Sequence, residues 1–330
     1  MFLDEGVKSI STGTNILVTG GVGFIGSDFV RLLDELQCFD RIYLVDSLTY
    51  ASDLRRLHGL SAKIELIESS VVQTKSYENA LKACHFVVHF AAESHVDRSI
   101  EDGTTFIESN IVGTYQLLEV CRQYPNVNLL HISTDEVYGS LEFGEADECA
   151  QINPASVYSA SKASSDLLVM ANWRTHKQNI SISRCTNNFG PWQNSEKFIP
   201  KAINSVLKGD PIPIYGTGSN QREWIYVTDH SKAILAILRN FTPGQIFNIG
   251  SGFRYSNLNL AQEILKHLGA PKTQVTFVPD RKGHDYRYAL SSIKLQDELD
   301  WKPETTFLDG LKATIQWYET WYKEWGEAYE

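Results

Sequence analysis

The stretch Thr19–Gly26, which reads TGGVGFIG, decides the fold and carries glycines at Gly20, Gly23 and Gly26. The apolar run Asn15–Thr19 comes before it and predicts a buried strand. After it, apolar residues recur at helical spacing, at Ile25, Phe29, Leu32, Leu33 and Leu36. The glycines therefore lie between a strand and a helix, where the backbone turns tightly and approaches a pyrophosphate at the helix N-terminus.

An acidic residue stands where such a loop needs one. A second strand, Arg41–Val45, ends at Asp46, 20 residues beyond Gly26. A carboxylate in this position accepts a hydrogen bond from a ribose hydroxyl and disfavours a 2′-phosphate. The combination predicts binding of NAD in preference to NADP. A glycine turn used only for packing is the weaker alternative, because it leaves the position of Asp46 unexplained.

Strands and helices alternate through the first half of the chain. Further apolar runs typical of strands are Ile64–Ile67, Phe86–Phe90, Asn128–Ile132 and Ser181–Arg184. The longest helical patterns cover Thr104–Gln123 and Tyr158–Lys177. The alternation predicts an α/β fold with a Rossmann-type, doubly wound parallel sheet.

Beyond residue 186, prolines and glycines interrupt the alternation of strands and helices, which indicates a smaller C-terminal α/β substrate domain. Shorter helices are predicted there near Lys201–Lys208, Asp229–Arg239 and Ser256–Leu268.

The expected organisation is an N-terminal extension at residues 1–13, a cofactor domain at 14–186 and a substrate domain at 187–330, with chain crossings between the two domains.

The net charge of −10 argues against nucleic acid as a partner. No apolar stretch reaches the roughly 18 residues of a membrane helix. The first residues lack the pattern of a signal peptide. Five cysteines without a C-x-x-C pair favour the reducing cytoplasm, and the scattered histidines predict no metal site.

A tyrosine and a lysine open the second long helical pattern. The four-residue spacing of Tyr158 and Lys162 puts both side chains on one helix face. A nearby ammonium group lowers the pKa of a phenol, and the phenolate takes a proton from a hydroxyl as hydride leaves the same carbon. The pair predicts hydride chemistry. An exposed tyrosine beside a solvated lysine is the alternative.

Two adjacent carboxyl groups follow the apolar run that ends at Ile132. Thr134, Asp135 and Glu136 are expected at the carboxyl end of a strand, where α/β sheets bind their ligands. A closed pocket separates the pKa values of two such carboxyls, which gives a general acid and a general base. Elimination of water needs both. The alternative is that Asp135 caps a helix and Glu136 is solvated.

Distinctive stretches continue along the chain. They are DSLTYA (Asp46–Ala51), AAESHVDRSI (Ala91–Ile100), STDEVYG (Ser133–Gly139), YSASKA (Tyr158–Ala163), NNFGPWQ (Asn187–Gln193), Glu196-Lys197, REWIYV (Arg222–Val227), Asp229-His230 and DRKGHDYRY (Asp280–Tyr288). Together with TGGVGFIG they resemble the extended short-chain dehydrogenase/reductase family, and within it the nucleotide-sugar 4,6-dehydratases, over about residues 15–325. Two departures concern the cofactor: Ser70 stands where the family usually has Asp, and Ser52-Asp53 where it has Gly-Asn.

The resemblance implies NAD as cofactor and a nucleotide sugar, dTDP-glucose in the first place, as substrate. The implied cofactor residues are Gly20, Gly23, Phe24, Ile25, Gly26, Asp46, Leu48, Thr49, Ser70, Val71, Ala91, Ala92, Ser94, Ser109, Tyr158, Lys162 and Asn187. The implied substrate residues are Ser94, Thr134, Asn187, Asn188, Lys197, Pro213, Tyr215, Arg222, Asn257, Arg281 and His284. The family also implies a homodimer built on the two longest helices.

The implied reaction is that of a hydro-lyase. Tyr158, supported by Lys162, takes the 4-hydroxyl proton while hydride leaves C4. Glu136 then removes the C5 proton, Asp135 protonates the leaving 6-hydroxyl, Thr134 polarises the 4-oxygen, and hydride returns to C6. The alternatives are a 4-epimerase or decarboxylase on the same scaffold, the same dehydration of another nucleotide sugar, and a non-enzymatic NAD-binding protein.

Overall fold

The structure is a computed structural model that describes residue 10, residues 13–61 and residues 63–329. Most of the predicted N-terminal extension lies outside the described residues. Within them, no helix has the length and apolar character that crossing a membrane requires.

Twelve strands lie within the described residues. They are β1 (Asn15–Thr19), β2 (Arg41–Asp46), β3 (Ile64–Glu68), β4 (Phe86–His89), β5 (Asn128–Thr134), β6 (Ile180–Cys185), β7 (Asn187–Phe189), β8 (Ile212–Tyr215), β9 (Gln221–Tyr226), β10 (Ile246–Ile249), β11 (Arg254–Ser256) and β12 (Val275–Val278). Seven of them form one parallel sheet in the order β3-β2-β1-β4-β5-β6-β10. The predicted Rossmann-type parallel sheet is therefore confirmed.

Helices cover both faces of this sheet. The α-helices of the described residues are α1 (Phe24–Leu36), α2 (Glu78–Lys82), α3 (Val96–Glu101), α4 (Thr104–Phe106), α5 (Gly113–Arg122), α6 (Val157–His176), α7 (Phe198–Lys208), α8 (Val227–Arg239), α9 (Asn257–His267), α10 (Ile293–Leu299) and α11 (Phe307–Trp325). One core packs α1 and α8 against the sheet, and a second core packs α2, α5 and α6 against its other face. This is the doubly wound arrangement.

The helix predicted at Thr104–Gln123 is not continuous. A π-helical segment, Ile107–Val112, separates α4 from α5. The side chain of Asn110 in this segment is buried, accepts a hydrogen bond from the Glu93 amide at 2.9 Å and donates to the Ser161 hydroxyl at 2.8 Å. The π-helical turn is wider than an α-helical turn and occurs together with these contacts. The apolar periodicity of the sequence predicts neither the wider turn nor the contacts.

The second half of the chain contributes to both parts of the molecule. A three-stranded sheet, β11-β9-β7, and a parallel pair, β12-β8, surround a third core with α7, α9 and α11. Between them, α8 packs on α1, and β10 returns to the large sheet beside β6. After residue 187, the chain therefore returns to the large sheet and to the helices that pack on it.

Strands β1 and β4 are neighbours in the sheet, although two strands separate them in sequence. Their chains leave toward opposite faces, and ligands of open α/β sheets bind in the crevice that this creates. The glycine loop follows β1 at this point, and its packing is close: a Cβ on Gly26 would come within 2.2 Å of the Gly20 carbonyl oxygen.

Replacement of Gly26 by alanine is expected to destabilise the fold, because the atom that the new Cβ meets belongs to the backbone. We expect Gly26→Ala to lower the free energy of unfolding by about 1–3 kcal/mol. Gly23→Ala is the matched control, since its Cβ would lie 3.3 Å from the same oxygen. Urea unfolding of both variants measures the difference. Equal losses in the two variants would contradict this account of the loop.

Candidate active site

The carboxylate of Asp46 organises the loops at the ends of β1 and β2. Its Oδ2 accepts the backbone N–H of Val22 at 2.9 Å. Its Oδ1 accepts the N–H of Leu48 at 2.9 Å and the hydroxyl of Ser52 at 2.7 Å. The carboxylate is thereby fixed beside the glycine loop, at the place where the sequence predicted the ribose contact.

The N-terminus of α1 faces the same crevice. Its N-cap is Gly23, so no side chain caps the first-turn N–H groups, and a helix N-terminus of this kind suits an anion. Gly20 has a φ of 69°, and a Cβ there would come within 2.7 Å of the Ala91 nitrogen. Glycine is therefore required where β1 and β4 diverge.

Most of the predicted cofactor residues lie in segments that follow neighbouring strands at the same sheet edge. Leu48 and Thr49 follow β2, Ser70 and Val71 follow β3, and Ala91, Ala92 and Ser94 follow β4. Ser109 lies on the π-helical segment and Asn187 begins β7. Because all these strands are parallel, their carboxyl ends bring the segments together.

The turn after β5 carries the two predicted carboxyl groups. Thr134 is the N-cap of the short 3₁₀ helix Asp135–Tyr138: its hydroxyl accepts the Glu136 N–H at 3.3 Å and donates to Asp135 Oδ1 at 3.2 Å. Asp135 is buried at 3% exposure. The alternative reading of Asp135 as the cap is therefore wrong, and Glu136 is partly buried.

The surroundings act differently on the pKa values of these two carboxyl groups. Burial raises the pKa of Asp135 to about 8, and the carboxylates of Glu136 and Glu223 add to the rise. Burial also raises the pKa of Glu136, but three cations oppose it, those of Arg222, Arg281 and Lys197. Asp135 therefore keeps its proton at neutral pH, and Glu136 is the member of the pair that is stabilised as an anion.

Tyr158 and Lys162 both lie on α6 and are both buried, so the alternative of an exposed pair is wrong. Lys162 Nζ donates to the Ile132 carbonyl at 2.8 Å and lies 3.5 Å from His131 Nε2. Burial lowers the pKa of Lys162 to about 8.

The expectation that Lys162 lowers the pKa of Tyr158 needs correction. Burial, and next the negative charge of Glu136, raise the pKa of Tyr158 well above its usual value, while a hydrogen bond with Thr134 opposes the rise. Spacing along a helix gives the face on which two residues lie. It gives neither the desolvation of the phenol nor the approach of a carboxylate from β5.

The predicted substrate residues of the second half reach the first half through specific contacts. Lys197 Nζ donates to the Ser94 carbonyl at 2.9 Å. Arg281 lies 3.5 Å from the carboxylate of Asp97 on α3, and the Tyr215 hydroxyl donates to the same carboxylate at 3.3 Å. Two of the cations that oppose the rise in the Glu136 pKa, Lys197 and Arg281, thus contact the segment of the first half that follows β4.

The other predicted substrate residues vary in position. The His284 and Tyr215 rings are 6.2 Å apart, and Asn188 is buried on β7. Pro213 lies on β8 and Asn257 begins α9. Within the described residues, no hydrogen bond joins Pro213 or Asn257 to the rest of the set.

Sequence reasoning missed the surroundings of Glu136. The Tyr288 hydroxyl lies 3.5 Å from Glu136 Oε2 and donates to Asp285 Oδ2 at 2.6 Å. The Arg222 guanidinium lies over the Tyr288 ring, 4.3 Å from its centroid. The only signal in the sequence was the inclusion of Tyr288 in the DRKGHDYRY stretch, which assigns it no role.

The chain is similar to known proteins over most of its length. The chain is 41% identical to a dTDP-glucose 4,6-dehydratase of Streptomyces niveus over 92% of both chains. It resembles the crystal structure of the dTDP-glucose 4,6-dehydratase DesIV from Streptomyces venezuelae with NAD and TYD bound, with a TM-score of 0.91 and 40% identity over 94% of this chain and 99% of that one. A UDP-glucose 4-epimerase from Thermus thermophilus in complex with NAD gives a TM-score of 0.84 and 27% identity over 93% of this chain and 99% of that one.

The family model described as GDP-mannose 4,6 dehydratase matches residues 17–314. This span includes the glycine loop, the Asp135–Glu136 turn, the Tyr158–Lys162 pair and the cations of the second half. The chain therefore belongs to the GDP-mannose 4,6 dehydratase family.

Proposed function

We propose that the chain is an NAD-dependent dTDP-glucose 4,6-dehydratase, which converts dTDP-glucose to dTDP-4-keto-6-deoxyglucose and water. The observation that carries this proposal is the pair of the buried Asp135 and the partly buried Glu136 beside Tyr158, since a simple dehydrogenase has no use for a second acid and base. Relatives at about 40% identity over more than 90% of the chain bear the same name, which supports dTDP-glucose as the substrate.

The residues present fit NAD. The fixed Asp46 carboxylate suits a ribose hydroxyl, and the glycine loop leaves the space and the N–H groups that a pyrophosphate needs. Bound NAD accepts the hydride from C4, returns it to C6, and favours the Tyr158 phenolate through its positive charge. The nucleotide diphosphate of the substrate is held by Lys197, Arg222 and Arg281, because guanidinium and ammonium groups bind phosphate oxygens.

Oxidation at C4 is the first step. The Tyr158 oxygen takes the proton of the 4-hydroxyl, and the Lys162 ammonium stabilises the negative charge that reaches the phenol. The hydroxyl of Thr134, which hydrogen-bonds Tyr158, polarises the 4-oxygen. The resulting 4-keto group makes the C5 hydrogen acidic.

Elimination of water follows at C5 and C6. Glu136, the member of the pair that is stabilised as an anion, removes the C5 proton, and Asp135 gives its proton to the departing 6-hydroxyl. One water leaves, and hydride returns to C6 while Glu136 returns a proton to C5. Redox balance thus closes within one turnover.

We further propose a homodimer in the cytoplasm. Large apolar side chains are exposed on the helices around α5 and α6, namely Ile107, Val112, Tyr115 and Leu167. Leu167 has 61% of its surface exposed, and a second copy of the chain would cover such side chains. Five free cysteines support a reducing compartment.

The product formed from dTDP-glucose tests the function directly. We expect the mass of the sugar nucleotide to fall by one water with no net NADH, because hydride returns to the sugar. Mass spectrometry of the product and absorbance of NADH measure both. An unchanged mass with altered stereochemistry would indicate a 4-epimerase. Water loss from a UDP- or GDP-sugar alone would correct the substrate, and binding of NAD without any turnover would indicate a non-enzymatic protein.

Replacement of Glu136 by glutamine should separate oxidation from elimination. The amide cannot take the C5 proton, so we expect kcat to fall by about 10²–10⁴-fold. Because Tyr158 and Lys162 remain, NADH should still form in a single turnover. Glu142→Gln, at an exposed position six residues later, is the control and should retain wild-type activity. Unchanged turnover in Glu136→Gln would contradict the assigned base.

The pH dependence should show an alkaline limit. Burial raises the pKa of Asp135 to about 8, so its proton is present below that pH and is lost above it. The charge of Lys162 is lost in the same range, since its pKa is lowered to about 8. We therefore expect kcat to fall as pH rises through about 8. A kcat that stays level from about pH 7 to about pH 10 would contradict the assignment of the acid.

A further inference from the structure

The guanidinium of Arg56 is buried at the junction of several loops. Arg56 is 1% exposed and follows Asp53 in the short 3₁₀ helix Leu54–Leu57. Among the described residues, no carboxylate lies within ion-pair distance of it. Burying a charge costs free energy unless hydrogen bonds compensate for its lost hydration. The hydrogen-bond acceptors of Arg56 therefore show which segments the buried guanidinium connects.

Those acceptors belong to separate segments. Nη1 donates to the carbonyl of Val22 in the glycine loop at 3.0 Å and to that of Ala51, in the loop after β2, at 2.8 Å. Nη2 donates to the Trp192 carbonyl at 2.8 Å and to Asn194 Oδ1 at 3.3 Å. One planar group therefore joins the two cofactor loops to the segment that leads from β7 to Lys197.

The peptide at Trp192 is strained and needs such a contact. Its φ is 67°, in the left-handed region that a bulky side chain rarely adopts. This conformation is unfavourable for a bulky side chain and persists only where the surroundings hold it. The Trp192 ring packs 4.9 Å from Trp317, 5.7 Å from Trp321 and 5.7 Å from Tyr329, while its carbonyl accepts from Arg56.

Tyr329 completes the arrangement from the C-terminal segment. It is 3% exposed, accepts a hydrogen bond from Arg56 Nη2 at 3.2 Å, and donates to Asp53 Oδ2 at 2.7 Å. It also lines a cavity of about 350 Å³ together with Leu48 and Ser52. These two residues hydrogen-bond Asp46, so the cavity adjoins the expected ribose position.

We propose that Arg56 and Tyr329 are positioning residues that couple the NAD site to the nucleotide-sugar site. The proposal rests on the function proposed above. NAD fixes the loops that carry Val22 and Ala51. Through Arg56, this favours the strained arrangement at Trp192 that presents Lys197 to the nucleotide diphosphate. Because coupling between two sites is reciprocal, the nucleotide must tighten NAD binding by the same factor.

The test is calorimetry of the full chain with two probes, NAD and thymidine diphosphate. The Kd of each is measured with and without a saturating amount of the other. We expect each ligand to lower the Kd of the other by at least about fivefold, the lower end of typical coupling.

Two variants remove, in different ways, the hydrogen bonds through which Arg56 and Tyr329 connect the two sites. Tyr329→Phe keeps the ring and loses the hydroxyl that bridges Arg56 and Asp53. Arg56→Lys keeps the charge but loses the fork that reaches Val22 and Trp192 together. We expect both to lose most of the coupling. Trp325→Phe is the control and should keep it, because Trp325 is 60% exposed and contacts the same aromatic cluster only by stacking on Trp321.

The outcomes separate this proposal from the proposed function. If both ligands bind wild type independently, or if Tyr329→Phe retains full coupling with an unchanged melting temperature, the positioning role is overturned while the dehydratase assignment stands. If neither ligand binds wild type, both proposals fail. A loss of coupling in Trp325→Phe equal to that in Tyr329→Phe would make the effect one of general packing and would also overturn the role.

Discussion

The candidate site depends on the close approach of β1 and β4 at the point where their chains diverge. Glycine at Gly20 permits this approach, since a Cβ there would meet the backbone of Ala91 after β4, and Gly26 lets α1 begin against the Gly20 carbonyl. The Asp46 carboxylate then ties the glycine loop to the loop after β2. Because all seven strands of the large sheet are parallel, the turn that carries Asp135 and Glu136 opens at the same edge. The fold thus brings the redox and elimination groups together.

The second half of the chain supplies the cations that lie near the carboxyl groups of the candidate site. Burial raises the pKa of both carboxyl groups of the turn. The cations Arg222, Arg281 and Lys197 oppose the rise at Glu136, whereas neighbouring carboxylates add to it at Asp135 and bring its pKa to about 8. The surroundings of one turn therefore favour the protonated acid at Asp135, whereas cations favour the anion at Glu136. A general acid and a general base arise from their surroundings, since both side chains are carboxyl groups.

Local sequence patterns predicted much of the fold and part of the candidate site. The first six strands of the large sheet, the glycine loop, Asp46 and the common helix face of Tyr158 and Lys162 follow from periodicity and spacing over short stretches. The rest depends on contacts between distant segments. The raised pKa of Tyr158, the π-helical segment, the position of Tyr288 and the junction at Arg56 all involve partners far away in sequence, which periodicity does not report.

The central claim is that one site oxidises C4, eliminates water across C5 and C6 and returns the same hydride. Turnover of dTDP-glucose in deuterated water, followed by NMR of the product, tests it most directly. The account predicts solvent deuterium at C5, where Glu136 exchanges its proton, and the original C4 hydrogen at C6, carried there as hydride. Absence of deuterium from C5, or deuterium at C6 in place of the C4 hydrogen, would contradict it.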